Sequence, residues 1–241
     1  MIRKNKKTTL LLGACMFMGN VRAAELIRTL NGHSRQINSV AFSLDGSILA
    51  SGSYDNTIRL WNVLTGESLR TLQGHTNAVR SVAFSPGGSI LASASHDHTI
   101  KLWDVHIGTL IQTLETHACI NAIAFSPDGN MLAAASQNKT IQLWNIYTGE
   151  YTLLTGHTNF VRSLAFSPNG SILASASSDK TIRFWNIDNS ECIHILEGHN
   201  GYVESVAFSS NGITFASGSQ DKTVKIWNIE ALMIPRFKFV D

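Results

Sequence analysis

Five tryptophans recur along this chain at a nearly constant interval, and this recurrence limits the possible folds more than any other feature. They occupy positions 61, 103, 144, 185 and 227, and a histidine precedes each one, at positions 33, 75, 117, 157 and 199. The spacings between successive tryptophans or histidines are 40 to 42 residues. An internal period of this length indicates one supersecondary unit that is repeated and either stacked or arranged in a ring.

Each repeat has the pattern of four short β-strands. In the second repeat, "AVRSVAFS" (78–85) is rich in β-branched and aromatic residues, and the Pro-Gly-Gly that follows favours a turn. Three more strands are predicted at "SILASAS" (89–95), "TIKLWDV" (99–105) and "GTLIQTL" (108–114). Because no helical periodicity occurs, the sequence predicts an all-β protein, a ring of five four-stranded antiparallel blades.

The composition agrees with a globular domain and argues against a nucleic-acid partner. Hydrophobic residues make up 44% of the 241 residues and charged residues 15%, so the chain can bury a substantial core. The formal net charge is +2, but five of the 19 basic residues precede Ala24 and no acidic residue does. Residues 24–241 therefore carry 14 basic and 17 acidic residues, a balance of −3. That domain lacks the basic excess that nucleic-acid binding needs.

The first 23 residues resemble a targeting signal. "MIRKNKK" is a positively charged start, "LLLGACMFMG" (10–19) is an apolar stretch, and a small-residue cleavage site follows at Ala23. This pattern predicts a signal peptide over residues 1–23 and export to the periplasm or outside the cell. The ten apolar residues are too few for a membrane-spanning helix. Two alternatives stay open, a lipidated Cys15 and an unprocessed start in a cytoplasmic protein.

The repeated text resembles the WD-repeat β-propeller family. Gly-His, Ser-Pro-x-Gly, Leu-Ala-Ser-x-Ser-x-Asp and a terminal Trp-Asn or Trp-Asp recur in this order over residues 26–230. The resemblance implies a propeller at 25–231, with repeats at 31–72, 73–114, 115–154, 155–196 and 197–230 and a tail at 232–241. It also implies a hydrogen-bonded structural tetrad of histidine, serine, aspartate and tryptophan in four repeats. The implied tetrads are His33, Ser51, Asp55 and Trp61; His75, Ser93, Asp97 and Trp103; His157, Ser175, Asp179 and Trp185; and His199, Ser217, Asp221 and Trp227.

The third repeat departs from this pattern. It has Thr116 before His117, Ala134 in place of the serine, and Asn138 in place of the aspartate. A buried indole or imidazole N–H that lacks a partner costs about 1–3 kcal/mol, which is a physical reason for a closed chain of donors and acceptors. The third repeat therefore predicts a broken tetrad and the least rigid of the five blades.

The second repeat allows two more specific interpretations, a catalytic triad and a metal site. His75, Ser93 and Asp97 could form a catalytic triad, but the same set occurs four times, whereas nucleophilic catalysis needs one exposed serine. His96 and His98 occur in this repeat alone and could share zinc or copper with a third ligand. No cysteine or further carboxylate is placed to complete that set. The sequence therefore predicts no metal, no cofactor and no enzymatic activity.

The variable positions near the strand turns form the predicted partner site. In the WD-repeat family, the face that carries the second-to-third and fourth-to-first strand turns receives peptides or proteins. The resemblance therefore implies a non-catalytic protein- or peptide-binding scaffold. Arginines and exposed aromatic residues stand out there because they are typical of interface hot spots. The predicted partner-binding residues are Tyr54, Arg80, His96, Phe160, Arg162, Tyr202 and Glu204. One alternative is a solvated rim without a partner. The other is a hydrolase or metal enzyme whose site lies in the central channel of the ring.

The way in which the ring closes stays open at this stage. Members of the WD-repeat family usually have seven blades, and this chain has five repeats. "ELIRTL" (25–30) could pair with "TVKIWNI" (223–229) and close a five-bladed ring, whereas "IPRFKFV" (234–240) falls where the last blade's own fourth strand belongs. Both segments cannot occupy the same place. The alternative is an open array that self-associates or forms part of a two-chain propeller.

Overall fold

The computed structural model describes residues 25–233, and the sheets lie in one compact unit that begins at Gly32. Residues 25–31 belong to a separate unit and contain no strand or helix. The predicted signal peptide (1–23), with Cys15, and the tail segment at 234–240 lie outside the described residues. Within residues 25–233, no helix is long and apolar enough to cross a membrane.

Nineteen strands form five antiparallel sheets in the described part of the chain, so the predicted all-β class is confirmed. The first sheet contains β1 (Ile37–Phe42), β2 (Ile48–Ser53), β3 (Ile58–Asn62) and β4 (Ser68–Leu72). The second contains β5 (Val79–Phe84), β6 (Ile90–Ser95), β7 (Thr99–Asp104) and β8 (Leu110–Glu115). The third contains β9 (Ile120–Phe125), β10 (Met131–Ser136), β11 (Ile141–Asn145) and β12 (Tyr151–Leu154). The fourth contains β13 (Val161–Phe166), β14 (Ile172–Ser177), β15 (Ile182–Asn186) and β16 (Cys192–Leu196), and the fifth β17 (Val203–Phe208), β18 (Thr214–Ser219) and β19 (Val224–Asn228).

Every sheet is a simple meander in which each strand pairs with the next along the chain. A tight turn joins the first and second strands. In the second sheet this turn has Gly88 at a φ of +73°, a left-handed conformation that glycine adopts without steric cost. The Ser85 hydroxyl accepts a hydrogen bond from the Ile90 amide across the same turn. These local rules explain why the strand boundaries follow the Ser-Pro and Gly signals in the sequence.

Hydrophobic contact between successive sheets forms the core. In the first of four clusters along the series, Ile58 and Leu60 of the first sheet pack with Val79 and Val82 of the second. The other three clusters join the second to the third sheet, the third to the fourth, and the fourth to the fifth. Each interior sheet therefore has two buried faces, and we call the face toward the next sheet its forward face and the other its rear face.

The fifth sheet differs from the predicted four-stranded blade. It has three strands among the described residues, and a short helix, α1 (Glu230–Met233), follows β19. Residues 25–30, for which the sequence allowed a closing strand, form none. The rear face of the first sheet and the forward face of the fifth sheet expose large apolar side chains, including Val40 and Ile226. The series of sheets thus has two open ends in the described structure.

Candidate functional site

A chain of hydrogen bonds ties the second sheet's tryptophan to its turn aspartate. Trp103 Nε1 donates to Ser93 Oγ at 2.8 Å, and Ser93 Oγ lies 2.7 Å from His75 Nε2. His75 Nδ1 lies 2.8 Å from Asp97 Oδ2. The first, fourth and fifth sheets repeat this arrangement with all three distances between 2.7 and 2.9 Å. The structure therefore brings together all four residues in each of the four sets that the resemblance implied.

For a neutral histidine, the network gives a consistent order of donors and acceptors. The serine hydroxyl accepts the indole hydrogen and donates its own hydrogen to the histidine Nε2, so the neutral imidazole carries its hydrogen on Nδ1. That Nδ1–H donates to Asp97. Burial raises the pKa of Asp97, but hydrogen bonds from His75 and Thr99 outweigh it and hold the pKa well below its ordinary value. Asp97 is therefore a fixed negative acceptor.

A threonine two residues after each aspartate belongs to the same network, although it was not among the predicted tetrad residues. Thr99 Oγ1 donates to Asp97 Oδ1 at 2.7 Å, and the Thr76 amide donates to Asp97 Oδ2 at 3.0 Å. The signal was present in the sequence, since Asp-x-Thr or Asn-x-Thr recurs in all five repeats. The threonines of this motif are Thr57, Thr99, Thr140, Thr181 and Thr223.

The serine of each network is sealed from solvent. Asp97, His75 and Ser93 have the connectivity of a hydrolase triad, but Ser93 is 0% exposed and its oxygen already accepts the Trp103 indole. Ser175 is equally buried. A nucleophile must reach the reacting carbonyl and have an oxyanion hole beside it. This arrangement can stabilise a turn against a strand, and its enclosed hydroxyl has no path to a substrate.

The third sheet lacks this network because Ala134 and Asn138 replace its serine and aspartate and because its connecting loop is one residue shorter. The distance from His117 to Trp144 is 27 residues, against 28 in the other repeats. Thr116 is consequently buried at the position that histidine takes elsewhere, and His117 is exposed at a φ of +56°. Gln142 Nε2 donates to the Thr116 carbonyl. Among the described residues, Trp144 Nε1 and Gln142 Oε1 are buried without a hydrogen-bond partner.

A β-bulge places three of the seven candidate partner-binding side chains. In the second sheet, Val79 pairs with Ser95 and Ser81 with Ala94, which leaves Arg80 as the extra residue of β5. The same register shift occurs at the start of the first strand in all five sheets. Bulges redirect a side chain out of the regular alternation of a strand. The bulged residues are Asn38, Arg80, Asn121, Arg162 and Glu204.

Arg80 contacts Tyr54, another of the predicted residues. Its Nη1 donates to the Tyr54 hydroxyl at 2.9 Å, and its guanidinium carbon lies 5.7 Å from the centre of the Tyr54 ring. Burial is the main cause that lowers the pKa of His96, and the positive charges of Arg80 and His98 lower it further. His96 is therefore neutral near pH 7. Tyr54 and Arg80 form one cluster across the first and second sheets.

Arg162 organises a second cluster across the fourth and fifth sheets. Its Nη1 donates to Glu204 Oε2 at 3.1 Å, its Nε donates to Ser178 Oγ, and its guanidinium carbon lies 5.2 Å from the centre of the Tyr202 ring. Gln220 Nε2 donates to Glu204 Oε1 at 2.7 Å. Both ends of the guanidinium are thus held before any partner arrives. We call the seven predicted residues, Tyr54, Arg80, His96, Phe160, Arg162, Tyr202 and Glu204, the arginine face.

Phe160 is not part of either cluster through its side chain. Its carbonyl accepts the Ser178 amide at 2.9 Å, and the side chain is exposed. Ser178 and Gln220, which complete the Arg162 cluster, occupy the repeat position equivalent to Tyr54 and His96, directly before the turn aspartate. His98 lies in the turn with a φ of +66°, as Asn56 does in the first sheet. Within residues 25–233, no group of three or more histidine, cysteine, aspartate or glutamate side chains is arranged to hold a metal ion.

Comparison with known families identifies the repeated sheets. The model of the IFT122 first beta-propeller matches residues 9–194, and the model of the WD domain, G-beta repeat, matches residues 190–228. Together these matches extend across all five repeats.

Curated proteins share single repeats with the chain. Periodic tryptophan protein 2 homolog of Schizosaccharomyces pombe is 45% identical over 47 residues, which are 20% of this chain and 6% of that protein. Ribosome assembly protein 4 of Saccharomyces cerevisiae is 42% identical over 48 residues, 20% of this chain and 9% of that protein. Guanine nucleotide-binding protein subunit beta of Schizosaccharomyces pombe is 42% identical over 40 residues, 17% of this chain and 13% of that protein. The chain thus covers far less than two thirds of these relatives' length. The family match and the repeated sheets show that the chain belongs to the WD-repeat β-propeller family.

Proposed function

We propose that this chain is a non-catalytic scaffold that binds a protein or peptide through the arginine face. WD-repeat propellers are in general protein-interaction scaffolds. The observation that carries the proposal is the pair of arginine clusters, in which Arg80 and Arg162 are each placed by a β-bulge and stacked near a tyrosine ring.

Preorganisation supports this assignment. A free arginine loses side-chain entropy when it is ordered in an interface, and this loss weakens binding. Arg162 is already fixed by Glu204, Ser178 and Tyr202. Phe160 and Tyr202 offer partly exposed aromatic surface on the same two sheets. Arginine and tyrosine are the residue types that carry most of the binding energy in many interfaces.

A capture experiment with matched charge reversals tests the proposal. The purified wild-type chain and the Arg80→Glu/Arg162→Glu double variant are used as baits, and retained proteins are quantified by mass spectrometry. We expect the double variant to retain at least about tenfold less of the partner than the wild type does. The reason is that each reversal removes a hot-spot contact worth about 1.4 kcal/mol or more.

Arg70→Glu is the control for a charge reversal elsewhere, since Arg70 lies on the outer strand β4 and is not part of the arginine face. Its replacement makes the same change of charge as each of the two reversals in the double variant. We expect Arg70→Glu to retain the partner at the wild-type level. Thermal unfolding of all three proteins shows whether the fold is kept. Equal retention by the double variant and by the wild type would refute the arginine face as the binding site.

A further inference from the structure

The forward face of the fifth sheet exposes residues that the other four sheets bury. In the third strands of the first four sheets, the two positions equivalent to Val224 and Ile226 are at most 2% exposed. In β19, Val224 is 73% exposed and Ile226 is 76% exposed. Side chains of this kind release about 25 cal/mol for each Å² that is removed from water. Among the described residues, the fifth sheet therefore has an uncovered apolar forward face.

The rear face of the first sheet shows the complementary exposure. Ile37 is 45% exposed, although its equivalents Val79, Ile120, Val161 and Val203 are all 0% exposed. Val40 and Phe42 follow it along β1 and are 60% and 61% exposed. The residues of β1 therefore have the sequence of a strand that packs on a preceding sheet.

These two open faces are the two halves of the interface that the chain forms four times within itself. Gly52 on the forward face of the first sheet lies against the second sheet, and a Cβ built on it would meet Val79 at 2.7 Å and Val82 at 3.0 Å. Gly218 is the equivalent residue of the fifth sheet, and no heavy atom of the described residues lies within 4 Å of its Cβ position. The equivalents of Val79 and Val82 in the first sheet are Ile37 and Val40. The space beside Gly218 can therefore take Ile37 and Val40 of a first sheet, as the space beside Gly52 takes Val79 and Val82.

A hydrogen bond between successive sheets also has its donor and acceptor on the two open faces. In three internal interfaces, a serine of the first strand accepts an amide hydrogen from the next sheet: Ser39 from Val82, Ser81 from Ile123, and Ser163 from Val206. The equivalent serine of the fifth sheet is Ser205, which is exposed. The equivalent amide of the first sheet is that of Val40. The two open ends therefore present an acceptor and a donor in the same relation as in the internal interfaces.

We propose that the open ends bind each other between copies of this chain, so that the forward face of the fifth sheet of one copy packs on the rear face of the first sheet of a second copy. The occupant is a second copy because the two faces reproduce the shape and hydrogen bonding of the chain's own internal interfaces. Such a contact is heterologous, since each copy contributes a different surface. It closes into a ring or continues into a longer assembly.

The test compares the mass of the full chain in solution with that of two single variants. Sedimentation velocity is measured over a concentration range for the wild type, for Val40→Lys and for Ile226→Lys. We expect the wild type to associate with increasing concentration, and each variant alone to remain a monomer, because each has lost one of the two faces and a buried lysine is unfavourable.

A mixture of the two variants supplies the decisive measurement. Val40→Lys keeps an intact fifth sheet and Ile226→Lys an intact first sheet, so the mixture can form one productive contact and no second one. We expect an equimolar mixture to form a heterodimer of twice the monomer mass. Non-specific apolar association would not depend on mixing, and a symmetric contact would let at least one variant pair with itself.

Three further variants keep the result interpretable. Ile107→Lys places the same charge on an exposed isoleucine outside both faces, and we expect it to associate like the wild type. Gly218→Val adds apolar surface but fills the space for Val40, so we expect weaker association. Ser205→Ala removes one hydrogen bond, and we expect association to weaken about 5-fold.

Unfolding curves check that each variant is folded. A wild-type chain that stays monomeric at every concentration would overturn the proposal, and so would a mixture of the two lysine variants that stays monomeric. In that event a different protein or other chain segments would be the partner of these faces.

Discussion

Trp144 of β11 lies diagonally across from Ala134 of β10, two residues along from its direct partner Leu132, and its buried indole N–H has no hydrogen-bond partner among the described residues. In the other four sheets, a serine at the position of Ala134 accepts that hydrogen at 2.8 to 2.9 Å. One missing oxygen atom therefore separates the third sheet from its neighbours at this point. The comparison leads to stability predictions that use the chain's own repeats as controls.

Replacing Ser93 by alanine should destabilise the protein by about 1–3 kcal/mol. The change leaves the buried Trp103 indole without an acceptor and His75 Nε2 without a donor, while it removes one oxygen atom. Denaturant unfolding of the wild type and Ser93→Ala measures the difference in the free energy of unfolding. A difference below about 0.5 kcal/mol would show that the network contributes little to stability.

The reverse substitution should stabilise the third sheet. Ala134→Ser supplies an acceptor for Trp144 at a position where the same residue type fits in four other sheets. We expect a gain of about 0.5–1.5 kcal/mol in the free energy of unfolding, the usual net value of one hydrogen bond. Denaturant unfolding under identical conditions measures it. A loss of stability would mean that the buried side chains around Ala134 leave no room for the hydroxyl.

Much of this network could be identified from the sequence because its members recur at fixed distances from each tryptophan. Three features could not be identified from the sequence. The shorter loop can be counted in the sequence, but the move of Thr116 into the histidine position cannot, because it depends on how the backbone is held at β9. The bulges at Arg80 and Arg162 are register shifts between strands, which no local residue pattern specifies. The open ends depend on contacts between distant sheets, so neither the exposure of Val40 nor that of Ile226 was foreseen.

Acid should destabilise the protein through the four tetrad aspartates. Hydrogen bonding lowers the folded-state pKa of Asp55, Asp97, Asp179 and Asp221 below the ordinary value of 3.8. The unfolded chain therefore binds protons before the folded one does as the pH falls. The resulting stability is fully present well above pH 3.8 and is lost as the pH falls through that value toward the folded-state pKa.

Two substitutions check the origin of this acid sensitivity by unfolding experiments between pH 7 and pH 2.5. Asp97→Asn removes one of the carboxylates, so its stability should vary less steeply below about pH 5 than that of the wild type. Asn138→Asp adds a carboxylate that Thr140 can hydrogen-bond, and it should steepen the dependence. Identical slopes for Asp97→Asn and the wild type would place the acid sensitivity in other groups.

The third sheet should exchange its amide hydrogens faster than the fourth. Both sheets have four strands and a neighbour on each side, which makes them a matched pair. The third sheet lacks the network and buries two unsatisfied polar atoms. Local opening should therefore cost less free energy there. Hydrogen exchange followed by mass spectrometry should show lower protection in β10 and β11 than in β14 and β15, and Ala134→Ser should reduce the difference. Equal protection in the two sheets would contradict the prediction.

The position of the weak sheet has a mechanical consequence. In a series where each sheet contacts its neighbours, the stability is close to a sum of terms for the sheets and for the contacts between them. The unsatisfied Trp144 and Gln142 lie in the middle term of this sum. Under a pulling force applied to the two ends of the series, the third sheet, at the centre, should therefore unfold first. The protein should extend in two steps. The third sheet unfolds in the first step, and the pairs of sheets on its two sides unfold in the second.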